Sequence, residues 1–451
     1  MNITIIGTGY VGLTTGVALA YFGHKVTCID KNQAIVDKLS KGQATIHEQG
    51  LEELLKLAMP NLSFQTNLAK LSGEGIVLIA VGTPAKESGE ADLQFVDSAA
   101  AEIADLIEEG AKLVVINKST VPIGTARHVE GIIHRNLVSR NISATVWVAS
   151  NPEFLAEGRA VKDTLYPDRI VVGTDNEEAA EMLRDMYKPL LEQSFDAPLE
   201  TPRPEDYTVP PFITSSTTSA ELTKLAANAF LATKISFINE FSRLAEHVGA
   251  DITEVSKAIG LDSRIGSKHL QAGIGWGGSC FGKDTQAIIA ASNRYDYKMQ
   301  LVEATIEVNK RQRLHVIERL QQQLKVLRGT TIGLLGLAFK GDTDDLRDAP
   351  SLTLIKELSE RDAVVRVHDP IAMPRTQELY PDLPVEYCED ELCLAIGCDA
   401  IVLVTDWKSY HQLPLARMKE RMRGNLFLDA RNMLEPSEIE AHGFYYLGVG
   451  R

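Results

Sequence analysis

The sequence predicts an α/β protein in which two Rossmann-like, doubly wound α/β domains are joined by a central helical segment with one long helix. Near the N-terminus an apolar strand meets a glycine-rich turn and a helical run, and apolar strands recur after it. The same order restarts at Gly329, and a long proline-free helical pattern begins at Thr217. Strands that alternate with helices favour parallel sheets. We therefore divide the chain into a dinucleotide-binding domain (1–193), a Pro-rich loop or linker (194–216), a central helical domain with a cysteine loop (217–325) and a second Rossmann-like domain (326–451).

The composition excludes several classes of protein. The 451 residues carry a formal net charge of −15, which argues against a nucleic-acid partner because such proteins present basic patches. No apolar run approaches the roughly 18 residues that cross a bilayer, so we expect no membrane partner and a cytoplasmic location. Five cysteines suit a reducing compartment. Cys388, Cys393 and Cys398 lack the close pairs of zinc sites, so we expect packing residues and no metal.

A dinucleotide-binding motif lies between the first strand and the first helix. It reads Gly7-Thr8-Gly9-Tyr10-Val11-Gly12, and a second strand ends at Asp30. Gly7 permits a tight turn, Gly9 lets the backbone approach a pyrophosphate, and Gly12 lets helix and strand pack closely. Asp30 stands near the offset at which an acidic side chain meets the ribose, so NAD is favoured over NADP, with Lys31 as a minor reservation.

Two later strands end in small and hydroxylated residues. Gly82-Thr83-Pro84 follows the strand 75–81, and Thr120 follows the strand 112–117. Ligands of open α/β sheets bind at the carboxyl ends of the strands, so these residues are candidates to line the nicotinamide side of the pocket. Helix capping or turn formation is an equally good interpretation of the two threonines.

Two carboxylates, Glu153 and Glu157, follow the strand 145–149 at a spacing of four. On a helix they would share a face, but Pro152 suggests that only the second part of this stretch is helical. A helix start with acidic residues in its first turn would explain the same pattern.

The long helical pattern from Thr217 carries Lys224 and Asn228 four residues apart, so both could point into one cleft. Taken alone, Lys224 is better explained as a solvated lysine or as a partner of Glu221. Two α/β domains joined by a helix create a cleft, which is a favoured ligand site.

In the glycine-rich stretch 273–284, Cys280 comes shortly before Lys283 and Asp284, and a helical run follows. A helix N-terminus and a nearby cation favour the thiolate, so the thiol pKa should be lowered. Taken alone, an inert buried thiol is the more common case. Beside an NAD site, however, a reactive thiol can add to an aldehyde, and the adduct can lose a second hydride to give a thioester that water hydrolyses. The pattern predicts oxidation of an alcohol to a carboxylate in two steps.

In the last domain, Lys340 and Arg347 are cations on an acidic background and could clamp phosphates, although each taken singly is more often part of a surface ion pair. The glycines near 333–336 do not repeat the first motif, so a second dinucleotide is not expected.

The whole chain resembles the UDP-glucose/GDP-mannose dehydrogenase family. The matching motifs are Gly7-x-Gly9-Tyr10-Val11-Gly12, Lys118-Ser119-Thr120-Val121-Pro122, Asn151-Pro152-Glu153-Phe154-Leu155-Ala156-Glu157-Gly158, Ala220-Glu221 through Asn228, Gly277-Gly278-Ser279-Cys280 with Lys283-Asp284, and Gly336-Leu337-Ala338-Phe339-Lys340. They cover all three domains in the family's order. Two positions depart from the pattern: Gly282 stands where the family often has proline, and Trp276 replaces a smaller aromatic residue.

The resemblance implies roles for individual residues. It implies that Cys280 is the nucleophile, that Lys224 and Asp284 handle the substrate oxygen and the water, that Asn228 supports the oxyanion, and that Thr120 and Glu157 assist through the same water. The candidate cofactor-binding residues are Gly7, Gly9, Tyr10, Val11, Gly12, Asp30, Lys31, Gly82, Thr83, Pro84, Thr120, Glu157, Lys283 and Arg347. The candidate substrate-binding residues are Glu153, Phe154, Leu155, Lys224, Asn228, Arg264, Gly277, Cys280, Phe339, Lys340 and Arg431, of which Arg264 would reach the site of a neighbouring subunit.

The activity implied by the resemblance is NAD-dependent, two-step oxidation of the C6 alcohol of UDP-glucose to UDP-glucuronate in a homo-oligomer, at least a dimer. GDP-mannose or a UDP-N-acetylhexosamine are alternative substrates for the same chemistry. A β-hydroxyacid dehydrogenase would share the first domain and the long helix but would use lysine without cysteine. A nucleotide-sensing module without catalysis is the alternative from outside the enzymes.

Overall fold

The computed structural model describes residues 1–86 and 88–451. The chain divides into two compact units, which are discontinuous in sequence. The first comprises Met1–Ala227 and Gln286–Asp296, and the second comprises Asn228–Thr285 and Tyr297–Arg451.

The first unit is built on one twisted sheet. Its strands are β1 (Asn2–Ile6), β2 (Lys25–Ile29), β3 (Leu62–Gln65), β4 (Glu74–Ile79), β5 (Lys112–Asn117), β6 (Thr145–Ser150), β7 (Ile170–Gly173) and β8 (Phe212–Ser215), in the order β3-β2-β1-β4-β5-β6-β7-β8. Neighbouring strands are parallel except β6 and β7, which are antiparallel. The helices before the linker are α1 (Tyr10–Tyr21), α2 (Gln33–Leu39), α3 (Leu51–Ala58), α4 (Gln94–Leu106), α5 (Thr125–Arg140), α6 (Ala160–Leu165), α7 (Glu177–Met186) and α8 (Lys188–Glu192), with a 3₁₀ turn at Met59–Asn61.

The central strands of this sheet are apolar because both of their faces are covered. Ile5, Leu78 and Ile116 are buried on one face, and Ile6, Ile79 and Val115 are buried on the other. Continuous apolar strands are typical of parallel sheets covered on both sides. The predicted doubly wound first domain is confirmed.

The long helix predicted from Thr217 is present as α9 (Thr217–Val248). It is followed by α10 (Ile252–Gly260), α11 (Phe281–Asn293) and α12 (Gln300–Leu324). Asp251 caps α10 by accepting a hydrogen bond from the Thr253 amide at 2.7 Å. Among the residues that the structure describes, no helix combines the length and the apolar character of a membrane-crossing segment.

The second parallel sheet, in the C-terminal part of the second unit, is also confirmed. Its order is β11-β10-β9-β12-β13-β14, with β9 (Thr331–Leu335), β10 (Val364–His368), β11 (Glu386–Tyr387), β12 (Ala400–Leu403), β13 (Leu426–Asp429) and β14 (Tyr445–Gly448). Its helices are α13 (Pro350–Ser359), α14 (Met373–Leu379), α15 (Glu391–Ala395), α16 (Leu415–Arg421) and α17 (Pro436–Ala441), with a 3₁₀ turn at Lys408–Gln412. Cys388 and Cys398 pack in its core, where burial raises the pKa of each thiol to about 12.

The Pro-rich stretch differs from a simple exposed linker. The Glu53 carboxylate accepts hydrogen bonds from the amides of Leu199 and Glu200, at 2.9 and 2.7 Å, and the Tyr166 hydroxyl donates to the Thr201 carbonyl at 3.0 Å. The stretch then ends in β8, which extends the first sheet. The sequence did not predict this short edge strand, because a run rich in proline is typical of a loop.

Candidate functional site

The glycine-rich turn between β1 and α1 has the shape that a dinucleotide needs. Gly7 has a φ of +100°, and a Cβ on it would lie 2.5 Å from the Ala80 carbonyl oxygen. A Cβ on Gly12 would lie 2.0 Å from the Gly7 carbonyl oxygen. A Cβ on Gly9, in contrast, would meet no described atom within 4 Å, and Gly9, as the N-cap residue of α1, has no side chain to cap the helix. The turn is tight on its inner side and open at the helix N-terminus, which fits a pyrophosphate.

Asp30 lies at the end of β2 beside this turn. Its carboxylate accepts hydrogen bonds from the Thr8 hydroxyl at 2.5 Å and from the Asn32 amide at 2.9 Å. Lys31 is exposed and lies 3.9 Å from a Glu102 oxygen. The structure therefore fixes the acidic group at the turn and leaves the lysine in solvent, which fits NAD better than NADP.

The loops after β4 and β5 meet, as the sequence predicts for the carboxyl ends of neighbouring strands. The Thr83 hydroxyl donates to the Thr120 carbonyl at 2.8 Å, and the Ser119 hydroxyl donates to the Val81 carbonyl at 2.6 Å. A Cβ on Gly82 would meet no described atom within 4 Å, so Gly82 leaves open space at this edge. Gly82, Thr83, Pro84 and Thr120 thus belong to one loop cluster.

Lys224 is neither solvated nor paired with Glu221. Its ammonium lies 2.9 Å from the Glu153 carboxylate, and the two side chains are 4% and 7% exposed. Glu153 also accepts a hydrogen bond from the Leu155 amide at 2.8 Å. Glu221 instead accepts hydrogen bonds from the Gly124 and Ala126 amides at the start of α5. The structure brings a lysine and a carboxylate from the candidate set together in a buried ion pair.

The Phe154 ring completes this group, because Lys224 Nζ lies 5.6 Å and the Arg169 guanidinium 3.8 Å from its centroid. Leu155 adjoins it in sequence.

The stretch from Glu153 to Glu157 is not helical, which corrects the expectation for its second part. Residues 151–156 are irregular, a turn covers 157–158, and the helix begins only at Ala160. The reason lies in Glu48, which the sequence reasoning missed. Its buried carboxylate accepts hydrogen bonds from the Gly158 amide at 2.6 Å and the Ala160 amide at 2.9 Å, and so it fixes the turn that carries buried Glu157. Such a long-range contact leaves no periodic signal in the sequence.

In the second unit, Cys280 directly precedes α11, as predicted. It is partly buried, its sulfur lies 3.4 Å from the Ser279 hydroxyl, and its carbonyl accepts a hydrogen bond from the Asp284 amide at 2.9 Å. Asp284 is buried and accepts hydrogen bonds from Asn228 Nδ2 at 2.6 Å and Lys283 Nζ at 2.7 Å. A thiol, a carboxylate, an amide and a lysine are therefore gathered at one helix N-terminus.

Residues of the C-terminal domain lie against the cysteine loop within this unit. A Cβ on Gly278, whose φ is +86°, would lie 2.8 Å from the Phe339 ring, and one on Gly277 would lie 2.3 Å from the Asp348 carbonyl oxygen. Lys340 Nζ lies 5.4 Å from the Phe339 ring centroid. Arg431 donates hydrogen bonds to the carbonyls of Phe339 and Val404, both at 2.6 Å. The structure thus groups Gly277, Phe339, Lys340 and Arg431.

Two predicted arginines have local carboxylate partners. Arg347 pairs with Asp345 at 2.7 Å, and Arg264 pairs with Asp262 at 2.5 Å on an exposed surface. These contacts do not bring Arg264 to the cysteine loop.

The two departures from the family pattern lie beside each other. The Trp276 indole N–H donates to the Ser236 hydroxyl at 3.0 Å, and a Cβ on Gly282 would lie 3.9 Å from Trp276 Cζ3. Helix α11 nevertheless starts regularly at Phe281. A Cβ at position 282 would therefore be in ordinary van der Waals contact with the indole.

Comparisons with known proteins support one family over the whole chain. Residues 1–191, 218–311 and 333–436 match, in turn, the NAD binding domain, the central domain and the UDP binding domain of the UDP-glucose/GDP-mannose dehydrogenase family. The chain is 43% identical to UDP-glucose 6-dehydrogenase YwqF of Bacillus subtilis, covering 100% of this chain and 98% of the relative. It is 41% identical to the UDP-glucose 6-dehydrogenase of Rhizobium meliloti, covering 100% of both chains. A UDP-glucose dehydrogenase from the archaeon Pyrobaculum islandicum has the same fold, with a TM-score of 0.85, 36% identity and coverage of 100% of this chain and 97% of that one.

Proposed function

The chain belongs to the UDP-glucose/GDP-mannose dehydrogenase family, and from this we propose that it oxidises the C6 alcohol of UDP-glucose to the carboxylate of UDP-glucuronate. It is an oxidoreductase with NAD as its cofactor. The observation that carries the proposal is Cys280 at the N-terminus of α11, with Asp284 and Asn228 in hydrogen-bond contact beside it.

The residues that would hold NAD are those of the glycine-rich turn, with Asp30 on the ribose and the loops at Thr83 and Thr120 toward the nicotinamide. Tyr10 and Val11 open α1 behind this turn. When bound, NAD supplies the hydride acceptor for both oxidations.

Cys280 accounts for the second oxidation. Its thiolate adds to the carbonyl carbon of the C6 aldehyde, which forms a C–S bond and places the electron pair on oxygen. Loss of hydride from this thiohemiacetal gives a thioester. Water then adds to the thioester carbonyl and the C–S bond breaks, which releases the carboxylate, regenerates the Cys280 thiolate and passes two protons to solvent. An alcohol dehydrogenase that stopped at the aldehyde would have no use for this thiol.

The other roles are proposals that the contacts support. Asp284, held between an amide and an ammonium, is placed to orient the attacking water, and Asn228 and Lys224 would stabilise charge on the substrate oxygen. Thr120 and Glu157 would assist through water. Glu153, Phe154 and Leu155 would contact the sugar nucleotide. So would Gly277, within the match to the central domain, and Phe339, Lys340 and Arg431, within the match to the UDP binding domain. Lys283 and Arg347 would lie near the cofactor.

The decisive experiment is the ratio of NADH formed to UDP-glucose consumed. We expect about two NADH per sugar nucleotide in the wild type, because the second oxidation proceeds through the thioester. Cys280→Ser should not proceed beyond the aldehyde stage. Cys393→Ser, which changes another partly buried cysteine, is the matched control and should keep the ratio near that of the wild type.

A ratio near one, or full activity of Cys280→Ala, would contradict the proposal and favour the β-hydroxyacid dehydrogenase alternative. Tight NAD binding without NADH formation from any sugar nucleotide would favour a sensing module. GDP-mannose and UDP-N-acetylhexosamines, assayed beside UDP-glucose, decide the substrate.

We also propose that the protein is a homo-oligomer, at least a dimer, in the cytoplasm. The central helix supports the first part, since α9 exposes large apolar side chains at heptad spacing on its second-unit portion: Phe230, Phe237, Phe241, Leu244 and Val248. Lys234 takes the remaining position of the pattern. Apolar residues at alternating spacings of three and four are typical of helix pairing, so a second copy of α9 is the proposed partner. Five cysteines, few and odd in number, suit the reducing cytoplasm.

A further inference from the structure

The backbone of Trp276, four residues before Cys280, is bound by helix α12 at both its amide N–H and its carbonyl oxygen. The Trp276 amide donates to Asn309 Oδ1 at 2.8 Å, and Asn309 Nδ2 donates back to the Trp276 carbonyl at 2.9 Å. Asn309 is buried, so water competes little for these bonds. One side chain thus holds the two successive peptide groups that flank the Trp276 Cα in the cysteine loop.

The loop approaches α12 so closely that one of its residues has no room for a side chain. Gly275 has a φ of +101°, and a Cβ on it would lie 2.4 Å from Asn309 Oδ1. One turn further along α12, Gln312 Nε2 donates to the Gly273 carbonyl at 2.9 Å. The backbone from Gly273 to Trp276 therefore follows the buried face of α12 closely.

Arg313 connects the same loop to residues 347–348, the turn that precedes α13. Its Nη2 donates to the Trp276 carbonyl at 2.6 Å, and its Nη1 donates to Asp348 Oδ1 at 2.7 Å. From the other side, the Gly278 amide donates to the Arg347 carbonyl at 2.9 Å. The loop is thus held between α12 and residues 347–348.

We propose that Asn309 and Arg313 are positioning residues for Cys280, an inference that rests on the proposed function. The segment before Cys280 carries four glycines, which give the backbone little stiffness of its own. A displacement of about 1 Å of a reacting group can lower the rate about 100-fold. Asn309 and Arg313 restrict this flexible segment so that the sulfur stays at the N-terminus of α11.

The test compares Asn309→Leu, which has similar volume but cannot form the hydrogen bonds, with Asn309→Asp, which keeps an acceptor for the Trp276 amide. For Asn309→Leu we expect kcat to fall about 100-fold with little change in the KM for UDP-glucose. We also expect Cys280 to react with iodoacetamide about tenfold faster, because a loosened loop opens more often. Asn309→Asp should restore part of kcat and part of the slow alkylation of Cys280.

Arg313→Met provides a second variant if Asn309→Leu fails to fold, and we expect the same direction of change from it. Arg311→Ala, on the exposed face of α12, is the matched control and should behave as the wild type. Thermal unfolding of every variant checks the fold.

The proposal is overturned if Asn309→Leu and Arg313→Met unfold at lower temperature while kcat and the rate of Cys280 alkylation stay unchanged. The alkylation rate needs no substrate. If the wild type does not oxidise UDP-glucose, the proposed function fails, and a change in alkylation would still show that α12 holds the cysteine loop.

Discussion

At the scale of single residues, Asp30 has two tasks on one carboxylate. One oxygen accepts a hydrogen bond from the Thr8 hydroxyl across the glycine-rich turn. The other accepts a hydrogen bond from the Asn32 amide at the start of α2. The negative charge is thereby held beside the place where the adenosine ribose would lie. A 2′-phosphate at that place would be repelled.

We expect Asp30→Asn to relax the preference for NAD. The amide keeps an acceptor for Thr8 but removes the charge, so the ratio of kcat/KM for NAD over that for NADP should fall about tenfold or more, equivalent to about 1.4 kcal/mol. Steady-state kinetics with both cofactors measures it. Asp37→Asn, an exposed carboxylate on α2, is the control. An unchanged ratio would show that Asp30 does not select the cofactor.

Residues with short-range signals could be predicted from the sequence, and residues with long-range contacts could not. Gly7, Gly9 and Asp30 belong to one strand–turn–helix–strand unit, so their spacing carries the information. Glu48 and Asn309 act on backbone groups far away in the chain, and no local pattern predicts their partners. The one available signal for Asn309 was a polar residue on the buried side of a long helix.

Lys224 is a second residue whose contact could not be predicted from the sequence. The helix pattern alone favours a solvated side chain or a pair with Glu221. A buried pair with Glu153 becomes apparent only when the fold brings the loop after β6 to α9. Because removal of one partner would leave a buried charge, such a pair is sensitive to substitution.

At the scale of elements, His24 connects the turn after α1 to the end of α7. Its Nε2 lies 2.9 Å from the Met186 carbonyl oxygen, and the ring is buried. Burial lowers the pKa of His24 below its usual 6.5, although the hydrogen bond to Met186 opposes this. The folded chain therefore keeps this ring neutral at a pH where the unfolded chain takes up a proton.

The sign of the resulting pH effect follows from linkage. As the pH falls below 6.5, the unfolded state binds the proton first, so the contribution of His24 to stability is present at higher pH and declines until the folded pKa is passed. His24→Gln cannot titrate. The stability of the wild type relative to His24→Gln should therefore fall between about pH 7.5 and about pH 5.5.

Urea unfolding of both proteins across this pH range measures the difference, and His442→Gln serves as a control on a histidine exposed to solvent. A difference that stayed constant or grew toward low pH would contradict the assignment.

Elements with strong periodicity were predicted well, and short edge elements were not. The helix from Thr217 and the central strands of both sheets are confirmed. Strand β8 was hidden by neighbouring prolines, and the two residues of β11 are too few to give a pattern. Pairing with an existing sheet edge, which no local propensity encodes, stabilises both strands.

At the scale of the whole molecule, the apolar stripe on α9 predicts assembly. We expect the wild type to sediment with at least twice the mass of one chain. Adding charge by Phe237→Glu together with Phe241→Glu should shift it toward the monomer, because two facing stripes would then bury unpaired carboxylates. Analytical ultracentrifugation measures both states.

Val138→Glu adds one such charge at an exposed apolar position on α5 and should leave the assembly unchanged. A wild type that sediments as a single chain, or a doubly charged variant that stays assembled, would refute the proposed pairing.

The discontinuous first unit has a consequence for synthesis on the ribosome. Its last part, Gln286–Asp296, is translated after the segment Asn228–Thr285, which belongs to the other unit. Domains generally fold in order of synthesis, N-terminal part first. Here the N-terminal unit cannot be complete until the cysteine loop and the start of α11 have emerged. Folding of the cofactor-binding unit therefore cannot finish before the segment that contains Cys280 has been synthesised.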